Sequence, residues 1–204
     1  MTGGVGAGCA VSVPPSTQAW LARSAHHDGP CARLFESVSG RAYRKPAGGG
    51  LWTSTWDPMP CSGWAQWCIV DAYKRPPFHV WLLDVDPGAR IYTVDSYADL
   101  AGLVASYGDP ESRYTDLSWG LIARDYDGLH LTDAGQWATR LSHPHDLYTW
   151  DCESTLWFRW VFTDVRRHGP WVPPSRPCDD TDCYRCDGSG THWLAADEMA
   201  EAAS

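Results

Sequence analysis

Residues 79–85 read HVWLLDV, and this run constrains the fold more than any other stretch of the chain. It is rich in β-branched and aromatic residues and is bounded by prolines, which predicts a buried strand. RIYTV (90–94) predicts a second strand soon after it. Asp95 or Ser96 then caps a predicted helix, whose apolar stripe consists of Leu100, Leu103, Val104 and Tyr107. Such an order of elements requires a core that a sheet and a helix share.

Further short elements are predicted on both sides of this centre. ARLFESVS (32–39) and LWTSTW (51–56) have the composition and alternation of strands. Ser62 is the predicted N-cap of a helix that two prolines terminate, and the block 147–165 predicts a later strand interrupted near Asp151.

Strands outnumber helices along the chain, and the two types alternate irregularly. The sequence therefore predicts an α+β domain over residues 32–167. Residues 1–31 are expected to form a flexible leader. Residues 168–204 are expected to form a Pro-rich linker and a small separate tail.

The formal net charge of −9 and the isoelectric point near 5.2 argue against a broad surface for nucleic-acid backbones, which are bound through Lys and Arg. No run of about 18 apolar residues occurs, so we expect no membrane partner. The first residues lack the basic and apolar regions of a secretory signal, and the expected location is the cytoplasm.

Asp151 and Glu153 stand two residues apart in TWDCESTLW. On an extended strand they would point to the same face, where their repulsion would raise one pKa. Paired carboxylates of this kind are typical of a site that stabilises positive charge or transfers protons. His130, in a predicted strand, is expected to be a structural or solvent-facing side chain.

Three glycines precede the tryptophan-rich run GGGLWTSTW (48–56), where they allow a tight turn or a close approach. The order of this motif and its neighbours resembles the ADP-ribosyltransferase superfamily, whose members split NAD at the nicotinamide glycosidic bond. Three segments carry the resemblance: Leu34-Phe35-Glu36-Ser37 as the opening strand, Gly50-Leu51-Trp52-Thr53-Ser54 as the strand before a helix, and Glu153 on a late strand.

The resemblance implies a mixed, mainly antiparallel split sheet and a set of site residues. Glu153 would be the catalytic carboxylate and Asp151 its alternative. The wall of the nicotinamide pocket would be formed by Gly50, Leu51, Trp52 and Ser54. Glu36 stands where the family has His or Arg, and Arg33, Arg41, Arg44 or Lys45 would have to replace that cation.

The function expected on this basis is NAD-dependent transfer of ADP-ribose to a macromolecular acceptor, a protein or a nucleic acid. Two alternatives remain open. One is a non-catalytic, tryptophan-rich module that binds a protein partner. The other is an enzyme that modifies nucleotides or nucleobases with the same carboxylates as acid and base.

The tail contains a cluster of metal-ligand residues. Cys178, Cys183, Cys186 and His192 have the spacing C-x4-C-x2-C-x5-H, which is compatible with a structural zinc ion of the Cys3His type. Residues 183–190 also resemble one knuckle of the cysteine-rich zinc region of J-domain co-chaperones. The predicted cofactors are therefore NAD, as a substrate, and structural Zn²⁺.

Overall fold

The computed structural model describes residues 16–22, 28–58, 61–71, 73–186 and 189–202. Their fold is α+β, as predicted. The strands are β1 (Thr17–Ala22), β2 (Arg41–Tyr43), β3 (Leu51–Thr55), β4 (Phe78–Val85), β5 (Ile91–Val94), β6 (Asp116–Ser118), β7 (Gly128–Leu131), β8 (Ser154–Trp157), β9 (Phe162–Trp171), β10 (Ser175–Pro177) and β11 (Thr191–Trp193). The helices are α1 (Gly63–Val70), α2 (Tyr97–Tyr107), α3 (Trp119–Asp125), α4 (Asp133–Thr139) and α5 (Ala196–Ala202).

A seven-stranded sheet in the order β5-β7-β8-β3-β1-β4-β9 organises the domain. Its strands pair antiparallel except for β5 and β7, which are parallel. Two halves, β5-β7-β8-β3 and β1-β4-β9, join over a short stretch in which Gln18 pairs with Thr55, Ala19 pairs with Ser54, and Trp56 N donates to Thr17 O. After Ala19 the described residues of β1 no longer pair with β3, so the sheet is split, as the fold prediction states.

Helix α1 begins at the predicted cap, where the hydroxyl of Ser62 accepts a hydrogen bond from Ala65 N. Ser96 caps α2 in the same way. The helices cover the two halves separately. Helices α2 and α3 share one apolar cluster with β7, which includes Leu100, Leu103, Ile122, Leu129 and Trp150. Helix α1 shares another with β4, β9 and α5, which includes Cys68, Val80, Trp171, Leu194 and Met199.

The chain near its start differs from the sequence-based expectation. Residues 17–22, placed in the leader, form β1 and pair with β4 along their whole length. Residues 32–39, expected to be the opening strand, instead contain a single 3-10 turn (Ala32–Leu34) and no strand. The reason is that β1 already occupies the position between β3 and β4, which leaves 32–39 no partner in the sheet.

The elements after β8 also differ from the predicted division at residue 167. Strand β9 continues to Trp171 along the edge of the sheet, paired with β4. The tail packs on the main domain, since Leu194 and Met199 belong to the same apolar cluster as Val80. In the described part of the chain, no helix is long and apolar enough to cross a membrane.

Candidate functional site

A cleft of about 440 Å³ lies where the two halves of the sheet separate. Strand β1 contributes Ala19 to Leu21 and β3 contributes Trp52 to Ser54, so the walls include the pair Ala19–Ser54 and the residues beyond it, where β1 and β3 no longer pair. Other aromatic, cationic and small side chains complete the lining: Lys45, Trp64, Lys74, Trp150, Asp151, Cys152 and Ser154.

One residue of the lining, Thr53, belongs to a row of buried polar side chains that joins β1, β3 and β8. Thr53 donates its hydroxyl to Gln18 Oε1 at 2.5 Å, and Gln18 Nε2 donates to Thr55 Oγ1 at 3.4 Å. The indole N–H of Trp157 donates to Thr53 Oγ1 at 2.7 Å. Gln18 is fully buried and Thr53 nearly so. Buried polar groups require partners, and this network supplies them between β1, β3 and β8.

Glu153 extends this row from the residue before β8. Its side chain is buried, and its two carboxylate oxygens each accept the Thr55 N–H at 3.1 Å. One of them also accepts the Thr55 hydroxyl at 2.8 Å. Helix α1 begins against it, since a Cβ on Gly63 would lie 3.2 Å from the second oxygen.

Burial raises the pKa of Glu153 to about 7, although the hydrogen bonds from Thr55 act in the opposite direction and Asp133 adds to the rise. The cause is the loss of hydration, which disfavours the charged form of a carboxyl group. A carboxyl group that ionises near neutral pH is typical of functional sites.

His130 on β7 is the nearest basic group to Glu153. Its Nδ1 lies 2.8 Å from Thr155 Oγ1 and 3.5 Å from Glu153 Oε1. Burial lowers the pKa of His130 to about 4, against a smaller opposite effect of Asp95. The imidazole is therefore neutral at physiological pH. It has the structural, hydrogen-bonded environment that the sequence predicts, but it is also in contact with the candidate carboxylate.

Asp151 lines the cleft and Glu153 does not. The chain becomes a strand only at Ser154, so the two-residue alternation of strand faces does not apply to this pair. Asp151 lies 3.7 Å from Lys45 Nζ. Cys152 also lines the cleft, but burial raises the pKa of its thiol, so it is not a thiolate nucleophile.

Two residues of the predicted pocket wall line the cleft. Trp52 contacts the Trp150 ring edge-on, with the ring centroids 4.6 Å apart. Lys45 Nζ lies 5.3 Å from the centre of the Trp52 ring. Ser54 is buried, donating its hydroxyl to Glu153 O and accepting the Trp64 N–H. Its hydroxyl therefore joins β3, α1 and the segment before β8.

Three others of the predicted residues lie away from the cleft. Gly50 and Leu51 line a second cavity of about 600 Å³, which also contains Glu36. Gly50 has a φ of +74°, and a Cβ there would lie 2.6 Å from Leu156 Cδ1, so both the turn and the packing require glycine. Arg33 is exposed in the 3-10 turn and lines neither cavity. Of the four proposed replacement cations, only Lys45 lines the cleft.

The tail brings together three ligand atoms of the predicted metal site. The candidate ligand atoms of Cys178, Cys183 and His192 all lie within 4.8 Å of one another, so this cluster could hold a metal ion. The fourth predicted ligand, Cys186, is buried and is not part of this group; its thiol donates to the backbone carbonyls of Asp180 and Cys183. Hydrogen bonds from the backbone of Cys186 and from His192 lower the pKa of Cys183 to about 6, which favours a thiolate ligand.

Gln18, Thr55 and Thr155 belong to the polar row and were not identified from the sequence. The detectable signal was the segment TQAWLA after Pro14-Pro15, a short β-prone run with a polar residue at its second position. Thr55 directly follows the motif Gly50-Leu51-Trp52-Thr53-Ser54, and Thr155 follows Glu153 by two positions.

No family model matches the chain, and it matches no curated protein and no solved structure.

Proposed function

We propose that the cleft between β1 and β3 binds NAD and that the protein transfers its ADP-ribose to a macromolecular acceptor. The observation that carries the proposal is the position of Glu153. It is a buried carboxyl group that is not itself part of the cleft lining, and Thr55 holds it beside the residue pairs that join the two halves of the sheet.

The size and the walls of the cleft support a ligand of this class. Its volume of about 440 Å³ falls within the range of small-molecule sites, about 300 to 1,000 Å³. Trp52 and Trp150 provide aromatic surface for a flat cationic ring such as nicotinamide. Lys45 and Lys74 provide positive charge for a pyrophosphate, with Asp151 beside Lys45.

The proposed chemistry requires a carboxylate near the nicotinamide ribose. When the bond between the ribose carbon and the nicotinamide nitrogen breaks, the electron pair leaves with nicotinamide and positive charge develops on the sugar. An ionised Glu153 would stabilise that charge until the acceptor attacks the same carbon and loses its proton. Because the pKa of Glu153 is raised to about 7, we expect activity to increase as the pH rises through neutrality.

The strand next to β3 carries a neutral amide. Gln18 on β1 binds Thr53 and Thr55 instead of presenting a charge to the cleft. On this proposal, Gln18 orders the hydroxyl groups that surround Glu153, and the lysines of the cleft supply the charge.

Calorimetric titration with NAD tests the binding step. Trp52→Ala should weaken NAD binding at least tenfold, since it removes an aromatic wall of the cleft. Trp137, which is 80% exposed on α4, provides the matched control, and Trp137→Ala should leave the affinity unchanged. If the wild-type protein shows no heat with NAD but binds other nucleotides, the nucleotide-modifying alternative replaces this proposal.

We also propose that the tail cluster holds one structural zinc ion, with Cys186 completing a Cys3His set. The position of His192 supports it. Its Nδ1 lies 3.5 Å from Cys183 Sγ, while its Nε2 lies 3.1 Å from Glu198 Oε1. A carboxylate on the second ring nitrogen is the usual support of a histidine ligand. The proposal predicts about one zinc per chain by elemental analysis under reducing conditions, and a metal-free protein would refute it.

A further inference from the structure

His130 occupies a position that the proposed chemistry does not by itself require. It lies on β7 and is 7% exposed. Its Nδ1 is within hydrogen-bond distance of Thr155 Oγ1, at 2.8 Å, and faces Glu153 Oε1 at 3.5 Å. Thr55 contacts the same carboxyl group from the other side, through its N–H and its hydroxyl. The carboxyl of Glu153 is thus enclosed by β3 on one side and by β7 on the other.

Two carboxyl groups lie in the surroundings of His130: Glu153 Oε1 is 3.5 Å from its Nδ1, and the charge of Asp95, just after β5, acts to raise its pKa. Asp133, at the start of α4, acts on Glu153 in turn. Burial outweighs the attraction of Asp95 and keeps the imidazole neutral. A neutral imidazole has one donor and one acceptor nitrogen, so it can orient a neighbour without placing a charge beside it.

We propose that His130 is the positioning residue of Glu153: held by Thr155, it fixes the carboxyl against Thr55 and keeps water from it without neutralising it. This inference rests on the proposed reaction, because the benefit lies in leaving the negative charge of Glu153 available to the developing cation. A lysine or arginine in this place would pair with the carboxylate and remove that charge. An alanine would leave space for water beside the carboxyl.

The ionisation of Glu153 tests the inference without any need for turnover. In protein with 13C-labelled glutamate, the Glu153 carboxyl resonance is identified by its absence from Glu153→Gln, and its titration is followed by NMR. His130→Ala should make Glu153 at least about tenfold more acidic, because water then hydrates the carboxylate. Thr155→Val should act in the same direction because the imidazole loses its partner. His130→Gln, which retains a hydrogen-bonding amide, should stay within about threefold of wild type.

The control is His143→Gln, since His143 is an exposed histidine in the loop after α4 and should not change the titration of Glu153. An unchanged titration of Glu153 in folded His130→Ala and in Thr155→Val would overturn the inference. If His130→Ala does not fold, Thr155→Val decides alone.

Kinetics then separate this inference from the proposed function. His130→Ala should lower kcat with NAD at least about tenfold, with KM within about twofold, and His130→Gln should restore most of kcat. An altered Glu153 titration together with wild-type kcat would overturn the positioning role. A wild-type protein that does not turn over NAD would instead refute the proposed function, while the NMR titration would still decide whether His130 positions Glu153.

Discussion

Replacing Glu153 by glutamine should stabilise the protein at alkaline pH, because the native fold buries a carboxyl group that ionises there. The pKa of this group rises from its ordinary value of 4.5 to about 7 in the fold. At about 1.4 kcal/mol per tenfold change in proton affinity, the ionised carboxylate costs the native state roughly 3 kcal/mol when fully developed.

The sign follows from the raised pKa. The native state retains the proton of Glu153 between pH 4.5 and about 7, where the unfolded chain has lost it, so this group contributes stability at low pH that is lost as the pH rises through 7. Glu153→Gln removes that loss. Relative to wild type, the variant should therefore gain about 2.5 kcal/mol in free energy of unfolding between pH 5 and pH 8. Both proteins keep His130, so its own titration largely cancels in the comparison.

The assay is urea denaturation at pH 5 and pH 8, followed by the fluorescence of the 13 tryptophans. Glutamine keeps a carbonyl oxygen that can accept a hydrogen bond from Thr55. Any difference in hydrogen bonding that does not depend on pH cancels when the free energies of unfolding at pH 5 and pH 8 are compared. Glu111→Gln, at an exposed position, is the control and should show no such change. If Glu153→Gln is destabilised equally at both pH values, Glu153 is not a buried carboxyl with a raised pKa and the reasoning is refuted.

Three further predictions concern the split, the cleft and the tail. Gln18→Leu should cost about 1 to 3 kcal/mol of unfolding free energy, because it removes the acceptor of the Thr53 hydroxyl and the amide donor to Thr55, whereas a cost near zero in denaturation would contradict the polar row. Lys45→Glu should weaken NAD binding at least about tenfold in calorimetry at low salt, and an unchanged affinity would exclude Lys45 from the site. Cys183→Ser should abolish stoichiometric zinc and lower the melting temperature, and zinc retained at one per chain would show that Cys183 is not a ligand.

The central elements were predictable because their signals are local. HVWLLDV and RIYTV form β4 and β5, and Ser62 and Ser96 cap the helices that their hydroxyl groups predicted. The spacing of the tail cysteines and His192 predicted a metal site, and the ligand atoms of Cys178, Cys183 and His192 lie close together. In each case the periodicity, the cap or the short spacing is contained within a few residues.

The composition of the polar row was not predictable, because it depends on contacts between distant segments. Gln18 and Thr55 are separated by 37 positions, and only the pairing of β1 with β3 joins them. The expected alternation of Asp151 and Glu153 was wrong for a related reason. A strand has to begin before its faces alternate, and where β8 begins is determined by its pairing with β3 and β7. The sequence predicted that Gly50 allows a tight turn or a close approach. In the structure its positive φ forms a turn, and the absence of a Cβ leaves space for Leu156.

The most direct test of the central claim is the release of nicotinamide from NAD, measured by NMR for the wild-type protein and for Glu153→Gln at pH 8. We expect the wild type to release nicotinamide, with or without a cell extract as the source of acceptor. In the variant the rate of release should fall at least about 100-fold, while NAD binding persists in both proteins. Release at the same rate by both proteins, or none from a wild type that binds NAD, would contradict the central claim.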